Sequence, residues 1–154
     1  MMAEYKATVL WKRSGAAFTD NRYSRGHVWK FDGGIEVAAS SSPQLVPLPM
    51  SSAAAVDPEE AFVASLASCH MLWFLSLAAR QGFVVNAYED HPHGTMGHNK
   101  AGRDALVRIE LRPRIEFEGE CSPSPEQVAQ LHHDAHDRCM IANSLRAEVI
   151  VLAS

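Results

Sequence analysis

Apolar positions along this chain switch between two periods, and each switch marks a boundary between strand and helix. Tyr5, Ala7, Val9 and Trp11 alternate with polar or small residues, the pattern of a half-buried strand. His27 to Phe31 and Ile35 to Ala38 flank Asp32-Gly33-Gly34, which predicts a β-hairpin, since tight hairpin turns need the positive φ that glycine supplies. Ser40 to Val56 is rich in Ser, Pro and Ala and reads as a surface loop. Asp57-Pro58-Glu59-Glu60 opens a helix: Asp57 caps the free amides, Pro58 suits the first position, and Glu60 completes a capping box. Small and apolar residues continue to Gly82, a natural stop. That run of about 24 residues is roughly 36 Å of helix, apolar almost all round, so it is expected to be buried, partly against a second subunit.

Val84 to Tyr88 reads as a strand. Glu89 to Arg103 holds four Gly or Pro and three His, and is expected to be an exposed loop. Leu106 to Phe117 alternates over a long run, with Pro113 suggesting an edge or a bulge. Ser124-Pro125-Glu126-Gln127 repeats the capping logic and opens a second helix, and Leu145, Ala147, Val149 and Val151 close the chain as a strand. The expected architecture is a single α+β domain over 1–154, with about six strands and two main helices.

Composition narrows the function classes. The 154 residues suit one domain, and 47% hydrophobic with 21% charged residues is ordinary for a globular chain. A net charge of −4 argues against a nucleic-acid partner, which requires clustered Lys and Arg. The start of the chain lacks the basic and apolar regions of a signal peptide, and the apolar run from Ala61 to Ala79 carries Ser65, Ser68, Cys69, His70 and Ser76. A cytoplasmic protein without a membrane partner is expected.

The three cysteines, Cys69, Cys121 and Cys139, are an odd set without a CxxC pair, unlike a secreted disulfide framework. Cys69 shares an apolar helix face with Phe62, Leu66 and Trp73. Cys139 follows Val128, Leu131 and Ala135 on the second helix. Both are expected to point inward where the helices meet. Packing alone satisfies that periodicity equally well, because free cysteine is among the most buried residue types. Cys121 falls in a turn and on no face.

The segment Asp57-Pro58-Glu59-Glu60-Ala61-Phe62-Val63-Ala64-Ser65-Leu66-Ala67-Ser68-Cys69-His70 resembles the signature of the OsmC/Ohr family, in which a cysteine lies ten residues beyond the Glu. His136-Asp137-Arg138-Cys139-Met140-Ile141-Ala142-Asn143-Ser144 resembles the family's second cysteine segment, and the element order matches over nearly the whole chain. The resemblance implies an intertwined homodimer with a buried central helix. It further implies a thiol peroxidase acting on organic hydroperoxides, with hydrogen peroxide as a further substrate, without a cofactor. Cys69 is then the peroxidatic thiol, Cys139 the resolving thiol, and an external dithiol such as a lipoyl group the reductant. Glu59 matches the family's Glu. The family's active-site Arg comes from an early strand or loop, but its Gly-Gly-Arg tripeptide is missing here. Arg25 is the first candidate, followed by Arg22 and Arg13. His70 after Cys69, and Met140 rather than Pro after Cys139, mark a divergent subgroup.

Ten helical residues separate Glu59 from Cys69, about 15 Å along an unbroken axis. If Glu59 serves a thiol, it serves the partner's Cys69 or the helix breaks between them; complementing the helix dipole is the alternative role, and both can hold together. His132, His136 and Cys139 share one helix face with spacing that suits a transition metal, although a solvated histidine face explains them as well; no metal is expected. His91, His93 and His98 are read as solvated, and His70 is expected to face away from Cys69. Alternatives to the peroxidase are a redox-sensing or ligand-binding protein that kept the fold, and a metal-binding protein.

Overall fold

The computed structural model describes residues 2–153, which divide into two compact units whose boundary falls within one helix, after Ala61. In the first unit, β1 (Ala7–Leu10), β2 (His27–Phe31) and β3 (Glu36–Ala39) form an antiparallel sheet in the order β1-β2-β3. The β2–β3 turn closes with Phe31 N–H donating to Ile35 O at 3.0 Å, and Gly34 adopts φ +87°, a conformation that glycine accepts without strain. The sequence suggested a half-buried first strand, but all of β1 is exposed, Val9 at 68%. Its apolar residues find no cover within their own chain.

Helix α1 spans Pro58–Arg80. Its capping box is present in full: Glu60 N–H donates to Asp57 Oδ1 at 2.7 Å, and Asp57 N–H donates to Glu60 Oε2 at 3.2 Å. At the other end Gly82 adopts φ +80°, and Phe83 N–H returns to Ala78 O at 3.0 Å, which satisfies carbonyls the helix leaves free. α1 has the length and apolarity of a membrane span. Within the chain it buries one face, through Val63, Leu66, Ala67, His70, Phe74, Leu77 and Ala78. Burial all round, as its composition suggested, is not reached: Phe62 and Leu72 remain 38% and 62% exposed.

The second unit adds β4 (Val85–Asp90), β5 (His93–His98), β6 (Asp104–Leu111), β7 (Pro113–Phe117), helix α2 (Pro125–Arg138), a 3-10 turn (Ala142–Ser144) and β8 (Glu148–Val151). β4 pairs with β7, while β5-β6-β8 form a second sheet in which β8 runs parallel to β6. The fold is α+β, with eight strands among the described residues rather than about six. Both extra strands have a physical reason. The expected loop at 89–103 contains β5, whose glycines make room for what crosses it: a Cβ at Gly94 would stand 2.7 Å from Val63 Cγ2, and one at Gly97 2.9 Å from Val107 Cγ2. The long run from Leu106 to Phe117 is two strands, because the chain changes sheet at Arg112–Pro113 and Pro113 has no amide to continue the ladder.

Two apolar clusters hold this unit. Val63, Leu66, Ala67, Ile109, Leu111 and Cys139 form one; Phe74, Leu77, Ala78, Leu131 and Ala135 form the other. Each fully buried Leu, Ile or Phe contributes about 1.5–3 kcal/mol of transfer free energy. α2 starts at Ser124, whose hydroxyl accepts from Gln127 N–H at 3.3 Å while Gln127 Oε1 accepts from Ser124 N–H at 2.8 Å. Gly94→Ala forces its new methyl into Val63 and Leu106. Thermal denaturation is expected to show a loss of about 1–3 kcal/mol, whereas Gly33→Ala, with open space around its Cβ, is expected to cost much less.

Candidate active site

Two constellations stand out, one in each unit. In the second unit, Cys69 lies on α1, half-buried, and packs against the cluster that contains Cys139. Cys139 is the C-cap of α2 and is fully buried. There the chain leaves the helix (φ −69°, ψ 109°), which turns the thiol inward. Both thiols are free. Burial pushes the Cys139 thiol up to about 11, and the neighbouring Cys69 thiol adds to that rise. The amides of Ala142, at 3.3 Å from the sulfur, and of Ile141 oppose it in part. The two thiols thus meet at one apolar cluster, with Cys139 held as a protonated thiol. Cys121 is exposed in its turn.

In the first unit, a pocket of about 440 Å³ is lined by Val9, Trp11, Phe18 and Tyr23, with Arg25 and Glu59 among its polar groups. The aromatic wall is self-supporting: Phe18 stacks on Tyr23 with centroids 4.6 Å apart, and Trp11 meets Tyr23 edge-on at 5.5 Å. Arg25 lies over the Tyr23 ring at 3.8 Å. It donates to Asn21 O at 3.0 Å, Asn21 Oδ1 at 2.8 Å and Tyr23 O. Asn21, at φ 61°, bends the chain so that carbonyl and side chain both face the guanidinium. Glu59 Oε2 is buried there without a hydrogen-bond partner. Arg13 donates to Ala16 O, and only the backbone amide of Arg22 is engaged, by Asp20; both side chains are exposed. Of the three candidate arginines, Arg25 is thus the one that shares a pocket with Glu59. α1 is continuous from Pro58 to Arg80, so Glu59 and Cys69 stand about 15 Å apart along the axis.

The histidines depart from expectation. His132 was expected on a solvated face, yet it is 4% exposed, and its Nδ1 lies 2.9 Å from Nε2 of His70, itself 1% exposed. The rings stack 5.2 Å apart with 10° between planes, and Phe74 covers His132 at 4.5 Å. Sequence reasoning missed the pair, although His70 lies four residues before Phe74 and His132 four after Val128, each on its helix's apolar face. Among the described residues no three His, Cys, Asp or Glu side chains converge to hold a metal. His91 and His98 contact the carboxylates of Glu89 and Asp104 at the surface, and His93 is exposed as well.

Known proteins share this fold. The family model described as OsmC-like protein matches residues 51–152. The chain belongs to the OsmC-like protein family. A solved OsmC-like protein of unknown function from Vibrio cholerae is 49% identical, with a TM-score of 0.97 over 99% of this chain and 100% of that one. An organic hydroperoxide resistance protein from Elizabethkingia anophelis has the same fold at 19% identity and a TM-score of 0.74, covering 100% of this chain and 97% of that one. OhrB of Bacillus subtilis, also an organic hydroperoxide resistance protein, shares the fold at 16% identity and 0.64, covering 99% and 98%. No curated protein matches the chain.

Burial holds both His70 and His132 down to about 4 from 6.5, with His132 and then His136 adding to the effect on His70. A folded-state value below the unfolded one means that the unfolded chain binds protons first. The pair's contribution is therefore complete above about pH 6.5 and is lost as the pH falls toward 4. Denaturant titrations from pH 7 to pH 4 are expected to lose on the order of 3–6 kcal/mol through this pair, about 3 for each ring. That component is expected to vanish in the double variant His70→Leu/His132→Leu.

Proposed function

We propose that this protein is a thiol-dependent peroxidase that reduces organic hydroperoxides, and hydrogen peroxide as a secondary substrate. The observation that carries the reading is that Cys69, from a distant stretch of chain, packs against the apolar cluster that contains Cys139, both as free thiols. Cys69 is the more accessible of the two and is the peroxidatic residue. Its thiolate attacks the terminal peroxide oxygen and the O–O bond breaks. The alkoxide leaves and takes up a proton as the alcohol, and Cys69 becomes a sulfenic acid. Cys139 Sγ then displaces the sulfenic hydroxyl, which departs as water with the Cys139 proton, and a disulfide forms. An external dithiol, for which a lipoyl group is suited, reduces it and is itself oxidised to its disulfide. Cys139 fits the resolving role because a thiol kept protonated is a poor first nucleophile, and its closeness limits overoxidation of Cys69.

Arg25 and Glu59 are the supporting groups. An arginine stays charged in an apolar pocket, and a carboxylate oxygen without a donor beside it favours an approaching cation or hydroperoxide proton. The aromatic wall suits the organic part of such a substrate. Glu59 stands too far along α1 to touch Cys69 of its own helix, so Arg25 and Glu59 serve the partner's Cys69 in a homodimer. The bare apolar residues Val9, Phe62 and Leu72 give such an interface its material. The chemistry needs no bound cofactor, and a reducing cytoplasm suits free thiols. Two proteins of the same fold are themselves organic hydroperoxide resistance proteins, which agrees with this assignment.

Stopped-flow oxidation with cumene hydroperoxide is expected to consume both thiols far faster than it consumes free cysteine, with recovery on adding dihydrolipoamide. Cys69→Ser is expected to abolish the reaction. Cys139→Ser should still react once and accumulate a sulfenic acid that dimedone traps. Loss of the guanidinium in Arg25→Leu is expected to slow the first step about 10²-fold. Oxidation of Cys69 at the rate of a free cysteine would end the proposal.

A further inference from the structure

His70 and His132 are unfavourable residues to bury. Each ring commits one nitrogen to the other, at 2.9 Å, and leaves its second nitrogen, His70 Nδ1 and His132 Nε2, buried without a partner. An unmade buried hydrogen bond costs about 1–3 kcal/mol, and two apolar residues of similar size avoid that cost. Stability alone therefore does not explain the pair; its location does. His70 directly follows Cys69 on α1, and His132 precedes Cys139 by seven residues, two turns of α2 or about 10 Å. Among the described residues, this is the only hydrogen bond between side chains of α1 and α2. Apolar contacts are non-directional, whereas an N–H···N bond between imidazoles adds a fixed distance and orientation.

We infer that the His70–His132 hydrogen bond is a positioning clamp, holding α1 and α2 at the spacing at which Cys69 and Cys139 join and separate. The inference rests on the reading that these two cysteines form a disulfide. A disulfide tolerates only a narrow range of Cβ separation, roughly 3.5–4.5 Å, so a small drift of α2 along α1 removes the sulfurs from bonding range. With the clamp in place, the reduced protein already presents them as neighbours, and closing the bond requires little further ordering.

The test is the thiol–disulfide equilibrium of the full chain with dithiothreitol, which reads the effective concentration of the two thiols and involves no peroxide. His132→Leu, and His70→Leu/His132→Leu, which leaves neither ring unpaired, are expected to lower it about tenfold, raising the two-electron reduction potential by roughly 30 mV. His132→Asn, whose amide falls where Nδ1 was, is expected to restore most of it. Native circular dichroism identifies the variants that have kept the fold. An unchanged equilibrium in the folded double variant overturns the clamp. A His132→Asn variant as impaired as His132→Leu overturns it too, since packing rather than the hydrogen bond would then matter. A native chain that closes its disulfide with dithiothreitol yet ignores cumene hydroperoxide defeats the peroxidase reading and leaves the clamp standing.

Discussion

One face of α1 supports the whole second unit. Leu66 and Val63 meet Ile109 and Leu111 on the sheet side, while Phe74, Leu77 and Ala78 meet Leu131 and Ala135 of α2. Cys69 sits beside this face and His70 within it, so the placement that packs the core also brings the thiols together. A helix that turned by one residue, about 100°, would lose the core and the thiol pair at once. Fold stability and site geometry are therefore the same constraint here.

The two buried polar features on this frame differ in kind. Cys139 is easily buried because a protonated thiol behaves as a small apolar group, and burial itself keeps it protonated. Two neutral imidazoles are costly to bury, and their hydrogen bond to each other offsets only part of that cost. A sequence under selection for packing alone has no reason to hold such a pair. The Arg25 pocket follows a third logic: its guanidinium is satisfied by Asn21 and Tyr23 carbonyls and by an aromatic face, which leaves it charged, oriented and free of a bound carboxylate.

Several apolar surfaces remain exposed within the chain. β1 has no cover over Val9, and the outer side of α1 shows Phe62 and Leu72. In the proposed homodimer, these are the surfaces that a second copy would cover.

Elements whose signals are local could be read directly from the residues. Both capping boxes, the Gly34 turn and the Gly82 stop depend on groups within a few residues of one another, so they were legible at once. The inward facing of Cys139 was legible too, because helical period assigns a face, whereas Cys69, also read as inward, is half-buried beside the face that His70 occupies. What those faces meet depends on segments far apart in the chain, and it emerged only once the fold was known. β5 looked like a loop because its glycines serve Val63 and Val107, residues distant in the chain. β6 and β7 read as one strand because alternation does not record a change of sheet. The His70–His132 pair stayed hidden because each histidine alone resembles a surface residue, and its burial becomes tolerable only when the other arrives from 62 residues away.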